Sequence, residues 1–251
     1  MDFEGKKHIL SYTRRAADEF NMIADGDRIA IGISGGKDSL TLLCALSELR
    51  RFYPYKFELC AVSIDMGFSE LGYPEFDPAA ITALCETLGV RYKVVKTHLA
   101  RVIFEERREK NPCSLCSNMR RGILHKAAAE LGCNKVALGH HFDDLIETFF
   151  LNLIHEGRLA AFLPVTYLSR RNITVIRPLI YAPEKEIRAF AQRNALPVYK
   201  NPCPADGNTQ REAVKTLLRG LDIEYKGLKH RIFGAIRKAG LLEKAEGSGE
   251  K

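Results

Sequence analysis

A short apolar strand that runs into two adjacent glycines is the feature that most constrains how this chain folds. Residues 28–33 are rich in isoleucine, and the string Ser34-Gly35-Gly36-Lys37-Asp38-Ser39 separates them from an apolar run at 40–46. Two glycines remove Cβ atoms where the backbone must approach a ligand closely. The amides of such a turn and of the helix that follows it point at an anion, most often a phosphate. The stretch therefore predicts a phosphate-binding loop between a strand and a helix.

This loop differs from the Walker A loop of other nucleotide-binding proteins. The Walker A loop needs Ser or Thr directly after Gly-Lys and an earlier Gly five positions before the Gly of that pair. Here Asp38 follows Lys37, and Ile31 stands at the earlier position. The string resembles instead the pyrophosphate loop, S-G-G-x-D-S, of the ATP pyrophosphatases, which cut ATP between its α and β phosphates. The resemblance implies that ATP binds at Ser34, Gly35, Gly36, Lys37, Asp38 and Ser39.

Short apolar strands alternate with helices along most of the chain. We predict strands at 28–33, 57–64, 91–96, 134–139 and 173–177, and helices at 5–23, 39–51, 78–88, 100–109, 117–131, 143–155 and 184–194. This order is typical of parallel βαβ units. We therefore expect an α/β fold with a doubly wound, mostly parallel sheet, like that of the adenine nucleotide alpha hydrolases. The expected units are an N-terminal helix (1–27), an ATP-binding domain (28–200), a C-terminal helical extension (201–242) and a disordered tail (243–251).

An acidic motif follows the predicted strand at 134–139. It reads G-H-H-F-D-D-L-I-E-T over residues 139–148. Carboxylates in a first helical turn complement the helix dipole, so simple capping is one interpretation. Beside a phosphate site they also fit Mg²⁺, which is usually held by one or two carboxylates and the substrate phosphates. Because ligands bind at the carboxyl ends of parallel strands, we expect one nucleotide pocket that also includes Asp65, Gly139, His140, Asp143 and Asp144.

Three of the seven cysteines lie in two short strings that contain proline. Cys113 and Cys116 form a C-x-x-C after Asn111-Pro112, and Cys203 lies in Asn201-Pro202-Cys203-Pro204. Proline discourages helix at the residue before it, so we expect two short, stiff loops. A lone C-x-x-C is compatible with a redox dithiol, half a zinc site or chance. Three thiolates leave one metal position open, which suits an iron–sulfur cluster with one reactive iron.

Together these strings resemble one family. C-S-L-C-S-N-M-R-R-G-I-L, with S-G-G-K-D-S upstream, G-H-H-x-D-D downstream and a distant third cysteine, is similar to the tRNA 2-thiocytidine synthetases over about residues 8–240. The resemblance implies that ATP adenylates the C2 oxygen of an anticodon-loop cytidine and that sulfur replaces this oxygen. It also implies Mg²⁺ and a 4Fe-4S cluster on Cys113, Cys116 and Cys203, which would be catalytic together with Asp38 and Arg120.

Two other functions remain open at this point. One is a different modification by the same superfamily, either lysidine or 2-thiouridine formation. Lysidine formation would not need three thiolates, and the terminal zinc-binding cysteine pairs of the 2-thiouridine enzymes are missing here. The other is a non-catalytic, metal-containing RNA-binding module, against which the intact S-G-G-K-D-S loop argues.

The charge of the chain predicts a polyanionic partner. The formal net charge is +7, and a basic surplus favours binding to phosphate groups. Neither a signal-peptide core nor an apolar run of membrane-spanning length stands out in the sequence. We therefore expect a cytoplasmic protein without a membrane partner. The expected partners are tRNA, ATP, a sulfur donor such as a cysteine desulfurase or free sulfide, and a second copy in a homodimer.

Overall fold

A mostly parallel sheet organises the fold in the computed structural model, which describes residues 3–107, 112–199, 202–204 and 210–243. Within these residues, six strands pair in the order β3-β2-β1-β4-β6-β5, and only β5 is antiparallel to its neighbour. This confirms the predicted doubly wound α/β fold. The strands are β1 (Asp27–Ile33), β2 (Phe57–Asp65), β3 (Arg91–Lys96), β4 (Lys135–Ala137), β5 (Val165–Leu168) and β6 (Ile173–Ile176).

Nine helices flank this sheet in the same described ranges. They are α1 (Lys6–Glu19), α2 (Lys37–Leu49), α3 (Ala79–Thr87), α4 (Leu99–Arg101), α5 (Pro112–Glu130), α6 (Phe142–Glu156), α7 (Glu184–Arg193), α8 (Gln210–Glu224) and α9 (Leu228–Lys238). The predicted helix at 100–109 is instead the short α4 followed by a π-helical turn, Val102–Glu106. The predicted disordered tail lies outside the described residues except for Glu243.

Alternating side chains bury β1 on both faces of the sheet. Ile29, Ile31 and Ile33 belong to the larger core cluster, which also includes residues of α1, α2, α6, α7, α8 and α9. Ala30 points to the other face and packs in a second cluster with Leu124 of α5. Period-two alternation in a strand produces this division. Helices therefore cover both faces of the sheet. The edge at the carboxyl ends of the strands is where a ligand can bind.

The expectation of a stiff loop around the C-x-x-C is wrong. Helix α5 begins at Pro112, so both cysteines lie in its first two turns and not before it. Proline suits the first turn of a helix because its missing N–H would have no intrahelical partner there. The restriction that proline imposes falls on residue 111, outside the described ranges. Cys113, Cys116 and Arg120 consequently share one helix face, at spacings of three and four residues.

The C-terminal helices pack directly on the sheet domain. Val214 and Leu218 of α8 and Phe233 and Ile236 of α9 are buried in the larger core cluster. The two helices contact α6, whose first turn carries the acidic motif. In the described part of the chain, no helix has both the length and the apolar character that crossing a membrane requires.

Candidate active site

A cavity of about 530 Å³ lies at the carboxyl ends of β1, β2 and β4. In the sheet, β2 and β4 lie on opposite sides of β1, so the direction in which successive strands are added reverses at β1. Ligands bind at such topological switch points. The cavity brings together the Gly-Gly loop, the loop after β4, the start of α5 and the Cys203 segment. Of the predicted site residues it is lined by Ser34, Asp38, Ser39, Gly139, His140, Asp144, Cys113, Cys116, Arg120 and Cys203.

The Gly-Gly loop leaves the first amides of α2 available to an anion. Gly35 has a φ of +81°, and a Cβ there would lie 3.1 Å from Cβ of Tyr199. Gly36 is the N-cap, and no side chain caps the helix. The Ser39 hydroxyl donates to the Gly36 carbonyl at 2.9 Å, while Ser34 Oγ accepts from the Gly36 amide at 3.3 Å. These bonds fix the loop and leave the helix N-terminus as an anion site.

Lys37 belongs to the loop but points into an ion-pair network. Its Nζ lies 3.0 Å from Oδ1 of Asp38 and 3.1 Å from Oε1 of Glu184. Lys215 of α8 contacts the other oxygen of Glu184 at 3.1 Å. Burial alone would raise the pKa of Glu184, but the two lysines lower it from 4.5 to about 2. Lys37 does not line the main cavity, so its charge holds α7 and α8 against the loop.

We expect Glu184→Gln to lower the free energy of unfolding by about 2 kcal/mol at neutral pH, since it removes the carboxylate partner of the partly buried Lys215 and leaves Lys37 with Asp38 alone. The folded-state pKa is depressed, so this stabilisation is present above about pH 4.5 and is lost as the pH falls towards 2. Urea unfolding at pH 7 and at pH 3 would measure it. Glu156→Gln, which breaks an exposed pair with Arg158, is the control and should cost less than about 1 kcal/mol. Equal losses of unfolding free energy in Glu184→Gln and Glu156→Gln would contradict the assignment of Glu184 to a stabilising, partly buried ion-pair network.

Two carboxylates face the cavity beside the loop. Asp38 Oδ1 is buried and accepts no hydrogen bond from the described residues, although Lys37 Nζ lies 3.0 Å away. The buried His141 places its Nε2 3.6 Å from this oxygen and 3.4 Å from Oδ2 of Asp144. His141 and Asp144 also form a capping box that starts α6. A buried oxygen without a hydrogen bond, next to a second carboxylate, fits a Mg²⁺ ligand.

Asp143 and Asp65 lie elsewhere. Oδ1 of Asp143 pairs with Lys229 Nζ at 2.7 Å and Oδ2 accepts from the Glu184 amide at 2.8 Å, so the side chain binds α7 and α9 outside the main cavity. Asp65 lines a smaller adjoining cavity, where its Oδ1 accepts from the Gly67 amide at 2.9 Å. Both remain candidate nucleotide residues from the sequence, but neither lines the main cavity. Asp38 and Asp144 also have partners within the chain, Lys37 and the His141 amide respectively, yet both line that cavity.

The three predicted cysteines reach the same cavity from two segments. Cys113 and Cys116 come from α5, and Cys203 comes from the loop before α8. Burial raises the pKa of the Cys116 thiol, the Arg120 guanidinium lowers it, and the other two cysteines raise it further. Cys44, Cys60, Cys85 and Cys133 are buried in the core.

This donor set fits a metal cluster with three thiolate ligands. The described residues contain no group of three or more His, Cys, Asp or Glu side chains already converged for metal binding. The thiols nonetheless line one cavity and interact electrostatically. Thiolates are soft ligands, which favour iron–sulfur clusters and soft metal ions. The residues that could hold such a cluster are Cys113, Cys116 and Cys203.

Sequence reasoning missed Arg177. Its guanidinium donates from Nε to Nδ1 of His140 at 3.2 Å. No motif includes this arginine, but it stands at the carboxyl end of the predicted strand 173–177, beside the strand that ends at His140. A charged residue at that position of a buried parallel strand is the signal that could have found it.

Known proteins are similar to this chain in both sequence and fold. Residues 10–220 match the family described as PP-loop domain. The tRNA-cytidine(32) 2-sulfurtransferase of Teredinibacter turnerae is 40% identical over 93% of this chain and 76% of its own length. The protein of that name from Geobacter sulfurreducens is 42% identical over 92% and 89%. The U34-tRNA thiolase NcsA from Methanococcus maripaludis, solved with its 4Fe-4S cluster, superposes with a TM-score of 0.75 and 28% identity over 98% of this chain and 82% of its own. The chain belongs to the tRNA-cytidine(32) 2-sulfurtransferase family of PP-loop proteins.

Proposed function

We propose that this protein is an ATP-dependent tRNA sulfurtransferase that replaces the C2 oxygen of an anticodon-loop cytidine with sulfur. The observation that carries the proposal is a single cavity lined by the phosphate loop, two carboxylates and the three thiols. The likeness to the tRNA-cytidine(32) 2-sulfurtransferases supports the cytidine, and the likeness to the 4Fe-4S thiolase supports the cluster.

The loop and the carboxylates serve the first half of the reaction. The β and γ phosphates of ATP bind the amides of Lys37 to Ser39 at the start of α2, since the Gly36 amide already donates to Ser34 Oγ. Asp38 and Asp144 would hold Mg²⁺, which as a Lewis acid neutralises charge on the phosphates. The C2 oxygen of cytidine attacks the α-phosphorus, a new O–P bond forms, and the bond to the β-phosphate breaks with release of pyrophosphate. The base then carries AMP as a leaving group.

The thiols serve the second half. Cys113, Cys116 and Cys203 would hold a 4Fe-4S cluster whose remaining iron can carry sulfur. Sulfur at the sulfide level, HS⁻, attacks C2 and forms the C–S bond, the C–O bond breaks, AMP leaves with its electron pair, and the proton of the sulfur is released. Arg120, on the same face of α5 as Cys113 and Cys116, is the cation placed to stabilise the departing phosphate.

A basic rim beside the cavity supports tRNA as the substrate. Arg121 is exposed on α5, and the exposed Arg171 donates to the Gly122 carbonyl at 2.8 Å. Arg120 and Arg121 line the same cavity as the thiols, and Arg171 adds a third positive charge at the adjoining Gly122 of α5. Arginines at such a rim bind backbone phosphates, and single-stranded loops can present an unstacked base to the pocket.

The sulfur donor, the homodimer and the cytoplasmic location remain parts of this proposal. Free sulfide would supply HS⁻ to the open cavity directly, whereas a cysteine desulfurase would supply a persulfide, from which a thiol reductant releases HS⁻ as the thiol becomes part of a disulfide. Exposed apolar side chains on α6 and α8, such as Ile154 at 52% and Ile223 at 79% exposure, support contact with a second copy.

Mass spectrometry of tRNA nucleosides tests the proposed function. Cells that lack this protein should lose 2-thiocytidine, and expression of the wild-type chain should restore it. Expression of the Cys113→Ala variant should not restore it, whereas an amine-transferring enzyme would tolerate this change. An unchanged nucleoside profile in the deletion strain would contradict the proposal.

A further inference from the structure

Arg177 is a half-buried cation held by neutral acceptors. Its Nη1 donates to the Leu163 carbonyl at 2.6 Å and lies 3.4 Å from the Thr166 hydroxyl. The guanidinium carbon is 5.1 Å from the centre of the Phe162 ring. Burial lowers the pKa of Arg177 to about 10, with a smaller contribution from Arg121. The side chain therefore has a fixed position and a charge that these contacts do not cancel.

The contact with Arg177 determines which nitrogen of His140 carries the proton. A guanidinium has only donors, so Nδ1 of His140 must accept from Nε of Arg177 across their 3.2 Å separation. A neutral imidazole that accepts at Nδ1 is protonated at Nε2. Phe162 packs against the imidazole with ring centres 5.1 Å apart. Burial, together with Arg177, lowers the pKa of His140 to about 4. At neutral pH the ring is therefore uncharged and fixed in orientation.

The remaining nitrogen of His140 is positioned to serve the cavity. His140 lines the cavity, and no described residue forms a hydrogen bond with Nε2. The preceding residue, Gly139, fits so closely against the start of α2 that a Cβ there would lie 3.0 Å from the Asp38 carbonyl carbon and 3.1 Å from the Ser39 nitrogen. His140 therefore stands next to the amides that bind phosphate.

We propose that Arg177 is a positioning residue that keeps the proton of His140 on Nε2, so that His140 donates a hydrogen bond to the α-phosphate of ATP. The inference rests on the proposed function for the identity of the ligand. With the β and γ phosphates on the α2 amides, the α-phosphate would lie in the cavity that this loop, His140 and the thiols line together. Negative charge develops on its oxygens during attack by the base, and a donor fixed in advance stabilises that charge without reorganising.

Nucleotide fragments test the contact with the α-phosphate. Calorimetry with AMP, which has only the α-phosphate, should show that His140→Leu weakens binding by about 10- to 100-fold, the usual effect of losing a hydrogen bond to a charged group. His140→Gln, whose amide nitrogen can replace Nε2, should recover much of this loss. Adenosine and pyrophosphate should bind all forms equally. Equal AMP affinity for the wild type and the Leu variant, or an equal loss in both variants, would overturn the proposal.

Nitrogen NMR of the imidazole tests the role of Arg177. In the wild-type protein the ¹⁵N shifts of His140 should show a protonated Nε2 and an acceptor Nδ1. Arg177→Met should give a mixture of tautomers, whereas Arg158→Met, an exposed control, should leave the spectrum unchanged. A wild-type ring protonated at Nδ1, or an unaltered ring in Arg177→Met, would overturn the proposal. If Arg177→Met fails to fold, the wild-type spectrum and the AMP comparison still decide.

These measurements separate the inference from the proposed function. AMP binding and the tautomer require neither tRNA nor a cluster. A protein that leaves every tRNA unmodified but loses AMP affinity in His140→Leu would disprove the thiolation and retain the contact. A protein that thiolates tRNA with unchanged AMP affinity in His140→Leu would do the reverse.

Discussion

Changing Cys113, Cys116 or Cys203 to Ser is expected to abolish thiolation, with a loss of about 1,000-fold or more, while ATP still binds. In the proposed cluster site each thiol would supply one of three ligands, and an incomplete set of thiolates does not hold an iron–sulfur cluster firmly. The phosphate loop is a separate element, fixed by its own serine and glycine contacts. Anaerobic reconstitution followed by iron and sulfide analysis would measure the cluster, and calorimetry with ATP would measure the retained nucleotide site.

Cys85→Ala is the matched control for these variants. Cys85 is a cysteine of α3 that is 1% exposed in the larger core cluster, and it does not line the cavity. Its loss should cost about 1 kcal/mol of stability through a small packing defect and should leave iron content and thiolation unchanged. Full activity in a Cys113→Ser protein without iron would contradict the assignment of the thiols.

Asp38→Asn is expected to reduce adenylation by about 100- to 1,000-fold, and Asp144→Asn to do so less severely. Both carboxylates line the cavity, and Asp38 Oδ1 lacks a hydrogen bond among the described residues. Loss of a carboxylate that holds Mg²⁺ removes the charge neutralisation that the phosphates need as pyrophosphate leaves. The measurement is AMP and pyrophosphate formation in the presence of tRNA, titrated with Mg²⁺.

Asp143→Asn distinguishes the proposed Mg²⁺ ligand Asp144 from the structural carboxylate of Asp143, one position away. Its partner Lys229 would lose its counter-charge, so unfolding should become easier by about 2 kcal/mol. The Mg²⁺ dependence of AMP formation should stay that of the wild type. If Asp143→Asn shifts this dependence and Asp144→Asn does not, the roles assigned to Asp143 and Asp144 must be exchanged.

The parts of the fold that follow a strong local pattern could be predicted from the sequence. Strand β1 and its Gly-Gly turn combine an apolar alternation with residues that only a tight turn needs. Strand β5 could not be predicted in this way, because its four residues lie at the edge of the sheet and show no buried alternation. The start of α5 was misjudged because Pro112 has opposite effects on the residue before it and on the helix that it begins.

Side-chain direction limits what the sequence says about the site. Asp143 and Asp144 are neighbours in one helical turn, yet successive helical residues point about 100° apart. One therefore faces the cavity and the other faces α9. Which of the two does so depends on how α6 packs against α8 and α9, and this is set by residues more than sixty positions away. Arg177 shows the same limit, because its contact with His140 depends on β4 lying beside β6 in the sheet.

The close fit of Gly139 against the first turn of α2 has a consequence for how this enzyme family can vary. Two segments a hundred residues apart touch through main-chain atoms, and a single methyl group would separate them by several tenths of an ångström. Side-chain substitutions therefore cannot change the distance between the phosphate loop and the turn that begins α6. Sequence changes in the loops around this junction can alter which base enters or where sulfur arrives. The junction itself keeps a fixed main-chain geometry.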